Sequence, residues 1–375
     1  MDPITHTFTG AALAAAGLRR ATPLATAALI LGANSPDVDA LTYFSEGFGS
    51  LAFRRGLTHG VLALSLWPFA LTGLLLLWDR LVRQRRNPHA APARAGPLLA
   101  VSLLAVLTHP SLDWLNNYGM RWLMPFDGTW FYGDALYIVD PWVWLTLGGV
   151  LFFRYSNRRS SLVIWAVFWT LASILVLTDP DRVTWPVRVV WVAGLAAIVT
   201  LRWRRERIIR HEAALDRAAA ATIGMVTVYI VAMAGASAAA RVQAHVMLAN
   251  LGIANIEHVM VAPTPANPFV GKVVAATPDS YYIGRWQWLA KPRLDLATRA
   301  LPRPSGEVYE AAARAQDAQH YLSWSRFPVA EVERVQAGGD GEDGGYLVRF
   351  LDARYHGEGG IRGPTVRLGR NLELR

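Results

Sequence analysis

Residues 61–79 read VLALSLWPFALTGLLLLWD, and an arginine-rich stretch, RLVRQRR, follows at 80–86. About 20 mostly apolar residues are what a helix needs to cross the hydrocarbon of a bilayer. A basic loop at one end marks the side on which that end stays. The pattern recurs outward from this segment. Further apolar runs lie at roughly 97–112, 140–153, 162–178, 187–201 and 218–240. Two shorter runs, about 7–18 and 21–33, flank Arg19-Arg20 and are expected to form a tilted or partly inserted hairpin. The start of the chain lacks the basic segment of a cleavable signal peptide, so the apolar runs read as lasting spans.

The arginines alternate. Arg80, Arg83, Arg85, Arg86 and Arg94 follow the first long span. Arg154, Arg158 and Arg159 follow the third, and Arg202, Arg204, Arg205, Arg207 and Arg210 the fifth. Between them, 113–139 offers only Arg121 and 179–186 only Arg182. Positive charge stays cytoplasmic, so the sequence predicts a multi-pass protein of a bacterial inner membrane. Six spans then place the remainder of the chain on the outer side.

Composition agrees. Of 375 residues, 53% are apolar and 17% charged, against roughly 25% charged in a soluble domain. Disordered and coiled-coil classes are excluded on that balance. The net charge of +9 is accounted for by membrane-flanking loops, so no nucleic-acid partner is expected. Cysteine is absent, which removes disulfides, thiolate metal sites and a cysteine nucleophile. Any metal must be held by His, Asp, Glu or Asn.

After Ala240 the character changes. Turn signals accumulate, and Gly338–Gly345 is a glycine-rich loop. Val270–Trp288 reads as strand, turn and strand, with the bend at Thr277–Ser280. Glu307–Tyr321 reads as an amphipathic helix, and Tyr346–Leu351 and Thr365–Leu374 as strands. The fold class expected is therefore an all-α polytopic membrane bundle over 1–240 with a small α+β domain over 241–375.

The polar residues of the first 140 positions stand out. Thr5-His6 opens the chain, and Asn34-Ser35-Pro36-Asp37-Val38-Asp39 ends the second short run. Thr58-His59-Gly60 opens the first long span, and Thr108-His109-Pro110-Ser111-Leu112-Asp113 closes the second. Tracing the spans puts His6, Asp37, Asp39, His59, His109 and Asp113 on one face, the outer one. His89 and His211 fall in the basic loops. His109 and Asp113 are one helical turn apart and share a face. Imidazoles with carboxylates suit zinc, manganese or iron better than calcium. Such an ion brings the pKa of its bound water toward about 7 and yields a nucleophilic hydroxide. Asp37 and Asp39 are candidate ligands or general bases. Arg54 and Arg55, on the outer side against the charge rule, are candidates for clamping an anionic substrate such as phosphate. Asp140-Pro141 reads first as a helix cap, with a site role for Asp140 as the alternative.

The motifs Met1–His6, Gly32–Asp39, Arg55–His59 and Thr108–Asp113, continued by Tyr118-Gly119, Pro125-Phe126 and Asp140-Pro141, occur in order over about the first 150 residues. In this the chain resembles the membrane-bound metal-dependent hydrolases of bacterial inner membranes, the LexA-regulated group. That family looks distantly similar to zinc-dependent phospholipase C and the single-strand-specific zinc nucleases, which are all-helical with clustered zinc ions. Their His-x-x-x-Asp/Glu ligand pair is matched by His109 and Asp113. Those enzymes are soluble, and they use an N-terminal amino group and more ligands than this sequence offers. The resemblance thus implies one or two ions, zinc first, and a hydrolytic reaction class without a substrate. The sequence reading adds a lipid-linked phosphoester as the expected target and membrane lipids as partners. Two alternatives stand beside it: a structural or assembly protein that binds a partner through the outer domain, and a transporter subunit.

Overall fold

A buried stripe runs along the helix Ala95–Trp114: Leu98, Val101, Ser102, Ala105, Val106, His109, Leu112 and Asp113. Spacings of three and four residues put these side chains on one face. The computed structural model describes residues 1–44, 47–178, 183–204, 211–265, 267–336, 344–357 and 362–375. Arg182, Arg205, Arg207, Arg210 and most of the glycine-rich loop at 338–345 lie outside the described residues.

The helices are α1 (Pro3–Ala15), α2 (Ala25–Gly32), α3 (Gly49–Phe53), α4 (Val61–Arg86) and α5 (Ala95–Trp114). They continue with α6, built of Pro141–Val143, a π-helical turn Trp144–Gly148 and Gly149–Tyr155. Then come α7 (Arg159–Leu177), α8 (Trp185–Trp203) and α9 (Glu212–Asn250). Of these, α4, α5, α7, α8 and α9 are long and apolar enough to cross a membrane. Val163, Ile164, Val167 and Leu171 of α7 and Val189, Val190 and Val199 of α8 are exposed. A contiguous apolar surface of this kind is unfavourable in water and suits hydrocarbon.

The third expected span, at 140–153, differs. Pro141–Tyr155 is 15 residues long, about 22 Å at 1.5 Å per residue, and a bilayer core is about 30 Å thick. Its length alone does not carry it across.

The chain forms two compact units, one of Met1–Val38, Arg55–Ala236 and Pro263–Pro268, the other of Asp39–Arg54, Ser237–Ala262 and Phe269–Arg375. In the first, α1, α2, α4 and α5 share a core of small and branched residues: Ala14, Ala25, Ala28, Leu29, Leu71, Leu75, Leu98, Val101 and Ala105. Asp2 caps α1 by accepting from the backbone N–H groups of Ile4 and Thr5, with Pro3 at the first helical position. Asp140 likewise caps α6, accepting from Trp142 and Val143. α1 and α2 approach closely at Gly10, where an added Cβ would lie 2.3 Å from the Leu29 carbonyl oxygen. Backbone cannot yield there as a side chain would. Gly10→Ala is expected to lower stability by about 1–3 kcal/mol through overpacking, despite alanine's better helix propensity. Thermal unfolding in detergent reads this; an unchanged or raised midpoint would show that the two helices have room.

In the second unit, β1 (His258–Thr264), β2 (Asn267–Ala276), β3 (Ser280–Gln287) and β4 (Leu294–Leu296) lie side by side in one sheet, with β5 (Leu301–Pro302) also on β3. β2 and β3 pair antiparallel from Val270 opposite Gln287 to Ala276 opposite Tyr281. The helices α10 (Glu307–Ala313) and α11 (Gln316–Trp324) precede a second antiparallel sheet of β6 (Pro328–Val335), β7 (Gly345–Asp352) and β8 (Thr365–Gly369). Period-two alternation buries both faces of the first sheet. Val261, Val273, Ala275 and Trp286 pack on Ala240, Ala244 and Leu248 of α9. Met260, Ala262, Val274 and Tyr281 pack on Phe327, Val329 and Ala353. Burial would raise the Asp352 carboxyl, but the Arg354 guanidinium and several hydrogen bonds outweigh it and hold Asp352 below its ordinary value. The architecture is the expected helical membrane bundle with a small α+β domain.

Candidate metal centre

Five of the singled-out residues sit at matching ends of antiparallel elements. His6 lies in the first turns of α1 and Asp37 just after α2. His59 precedes α4, and His109 and Asp113 occupy the last turns of α5. His59, His109, His6 and Asp113 are buried, while the Asp37 side chain retains 13% exposure.

Among the described residues, Asp37, His59, His109 and Asp113 each bring one donor atom to within 4.8 Å of all the others. The Nε2 atoms of His59 and His109 are 3.1 Å apart. Asp113 Oδ2 lies 3.4 Å from the first and 3.5 Å from the second. Asp37 Oδ1 lies 3.8 and 3.7 Å from the same two atoms. Ligands about 2.0–2.1 Å from a zinc-sized ion stand about 3.3–3.4 Å apart on a tetrahedron, and the observed spacings bracket that edge.

The surrounding contacts set the donors. His109 Nδ1 is 2.7 Å from the Ala33 carbonyl oxygen, so Nδ1–H donates and Nε2 carries its lone pair inward. His59 Nδ1 is 2.9 Å from Thr58 Oγ1, a hydroxyl able to accept from Nδ1–H and leave Nε2 its lone pair. Asp113 Oδ2 accepts no well-aligned hydrogen bond. Inward lone pairs and a carboxylate oxygen crowd together there, and a cation would relieve the repulsion. The donor set fits a divalent metal ion.

Arg55 is not extended toward solvent. It is buried, with Nε 2.9 Å and Nη2 3.0 Å from the two Asp113 carboxylate oxygens. Its Nη1 donates to Asn116 Oδ1 at 2.9 Å and to the Gly119 carbonyl at 3.2 Å, and the guanidinium stacks on Tyr118. The sequence offers Arg55 for a substrate anion; the structure pairs its guanidinium with Asp113. Asn116 accepts from the Tyr118 N–H and also fixes Arg55. Neither partnership had a sequence signal beyond the nearness of polar residues to the ligand motifs.

His6 stands beside the four rather than among them. Its ring stacks on His109 with centroids 3.8 Å apart, and Nε2 is 3.2 Å from Asp113 Oδ1. The amino nitrogen of Met1 meets the same oxygen. Burial first, then the neighbouring His109 and Met1 amino group, keep His6 well below the usual histidine range. Asp39 and Arg54 belong to the second unit, where Arg54 Nε is 3.7 Å from Asp39 Oδ1 and the guanidinium lies over the Tyr43 ring. Besides capping α6, Asp140 accepts from the Tyr229 hydroxyl at 2.9 Å.

Residues 1–183 match the family described as YdjM inner membrane protein, a stretch that holds all four donors and none of the sheets. The chain is also similar to the uncharacterized protein YfhP of Bacillus subtilis, 22% identical over 386 aligned residues that cover 100% of this chain and 93% of the relative. No solved structure matches. The protein is thus a multi-pass membrane protein with a buried group of two histidines and two aspartates able to take a metal ion, and its first half is similar to inner membrane proteins.

Proposed function

We propose that this chain is a metal-dependent hydrolase of the bacterial inner membrane, acting at the outer face on a phosphoester of a lipid-linked substrate. One observation carries the reading: Asp37, His59, His109 and Asp113 converge their donor atoms at the ends of membrane helices. Ionisable groups at that depth are costly and point to function. Zinc is the ion the donor set suits best, and when bound it supplies a hydroxide near neutral pH. The protein's own work is to hold the donors. Ala33 and Thr58 orient the imidazoles, Arg55 fixes Asp113, and Asp37 forms the more open edge. The similarity to an inner membrane family and the five apolar helices support the location.

The test incubates detergent-purified protein, with zinc or with chelator, against mixed phospholipids and undecaprenyl-type phosphates. Chelator-sensitive release of headgroup or phosphate, absent in His109→Ala, is the expected result. Cleavage of a soluble ester with no release from any lipid would overturn the lipid assignment and leave the hydrolase.

A second reading is a structural ion in an assembly protein. Four protein donors close a tetrahedral shell, as structural zinc sites do, whereas catalytic ones keep a position open. Under that reading chelation lowers the unfolding temperature and no substrate is turned over.

Orientation has its own test. Reporter fusions after Pro88 are expected to read cytoplasmic, and fusions after Gly128 and Gly306 periplasmic. The Gly306 fusion depends on the short α6, because without a crossing there the α+β domain falls on the opposite side. A cytoplasmic Gly128 fusion would remove the outer-face assignment of the metal group.

A further inference from the structure

Apart from the metal group, the first unit has an open apolar groove of about 440 Å³ between α6, α8 and the start of α9. Gly149 and Phe153 of α6, Ile198 and Leu201 of α8, and Ala218 and Thr222 of α9 form much of its wall. Its hydroxyls are spent on their own helices. Thr222 Oγ1 donates to the Ala218 carbonyl at 2.8 Å, and Thr146 Oγ1 to the Trp142 carbonyl at 2.7 Å. The wall therefore presents hydrocarbon, and hydrocarbon is what it can take.

The chain is basic just after the wall residues Phe153 and Leu201. Arg202 donates to Ser156 Oγ at 2.6 Å and to the Ser156 carbonyl at 2.8 Å, tying the end of α8 to the turn after α6. Arg158 and Arg159 lie two and three residues after Ser156 and Arg204 two residues after Arg202, and all three are exposed. The acids nearby are committed elsewhere. Asp216 pairs with Arg19, Arg20 and Arg154, and Glu212 with Arg19 and Arg154. Arg158, Arg159 and Arg204 face no acidic partner among the described residues. Trp203 beside them is 89% exposed, as suits an aromatic at the headgroup level.

We propose that this groove holds one acyl chain of an anionic phospholipid whose headgroup phosphate rests on Arg158, Arg159 and Arg204. Apolar walls take the chain, and the unpaired guanidinium groups select the charge. The site is independent of the metal-dependent reading and survives its failure.

The test uses the full-length protein in phosphatidylcholine nanodiscs, titrated with phosphatidylglycerol of the same acyl chains. Bound lipid is counted by native mass spectrometry. One retained phosphatidylglycerol per chain is expected. Each arginine beside an anionic surface contributes on the order of fivefold in affinity, so R158Q/R159Q/R204Q should weaken retention on the order of a hundredfold. Ala218→Phe, which fills the groove, should abolish retention. The arginine changes lie on exposed side chains and keep the test open if Ala218→Phe misfolds. Exposed Arg80, Arg85 and Arg86 changed to Gln together should leave retention unchanged. Equal retention of the two lipids, an equal loss in this control, or a polyprenyl phosphate displacing phosphatidylglycerol would overturn the proposal.

Discussion

Purified His109→Ala protein is expected to retain about a tenth or less of the transition metal that the unaltered chain carries, an effect of the size seen when metal sites lose a ligand or its support. His109 is central to the group. Its Nε2 lies 3.1 Å from His59 Nε2, 3.5 Å from Asp113 Oδ2 and 3.7 Å from Asp37 Oδ1. Its other nitrogen is already committed to Ala33. His59→Ala and Asp113→Asn are expected to fall as far. Asp37→Asn should fall least, because Asp37 stands farthest from both histidines and keeps some exposure. His89→Ala should match the unaltered protein, since His89 is exposed in the loop before α5. Metal is measured by mass spectrometry on protein purified without added zinc and again after reloading. Equal content in all five variants would exclude the site. Loss restored only at high zinc concentration would place the affected residue among the weaker ligands.

How much of this was legible beforehand depends on periodicity. His109 and Asp113 are four apart inside a helical pattern, so a shared face followed from spacing, and the structure buries both on the packed side of α5. Asp37 and Asp39 were not separable. Ser35–Phe44 is a 3₁₀ segment, and at three residues per turn two positions apart point in different directions. Asp37 turns to the histidines. The Asp140-Pro141 cap was readable because proline at the first helical position with Asp before it has few other uses. The partner of Asp113 was not readable. Arg54 and Arg55 are identical in type and adjacent, and nothing in the sequence tells which one turns inward. The end of α9 was hidden for a different reason. Polarity rises after Ala240, yet the helix runs on to Asn250, because Ala240, Ala244 and Leu248 now pack on β-sheet. α6 was hidden by the opposite effect, since an apolar run of 14 or 15 residues looks alike whether it crosses a bilayer or packs on α1, α7 and α8.

Arg55→Met should destabilise the protein by about 3 kcal/mol in the presence of chelator, the cost of taking the guanidinium from a buried carboxylate that keeps only the Met1 amino group as a cationic neighbour. Two Arg55 nitrogens face Asp113, at 2.9 and 3.0 Å, beside the Met1 amino nitrogen and His6 Nε2, and neither Arg55 nor Asp113 is open to water. Its backbone φ is 50°, in the left-handed region, where a non-glycine residue costs about 1–2 kcal/mol. Hydrogen bonds to Asp113, Asn116 and the Gly119 carbonyl and the stacking on Tyr118 offset that strain. The metal changes the sum. A divalent cation at the four donors would itself compensate Asp113, so the penalty should shrink when the variant is loaded with zinc. Stability is read as the unfolding midpoint of unaltered and Arg55→Met protein, each with chelator and with zinc. A zinc-induced rise larger in the variant than in the unaltered protein is the expected sign of coupling between Arg55 and the metal through Asp113. Arg55→Lys should recover little, because an ammonium cannot span both carboxylate oxygens as the guanidinium fork does. Equal zinc responses in the two proteins would mean that Asp113 is a structural anion held by Arg55 and the Met1 amino group, with the metal bound elsewhere or not at all.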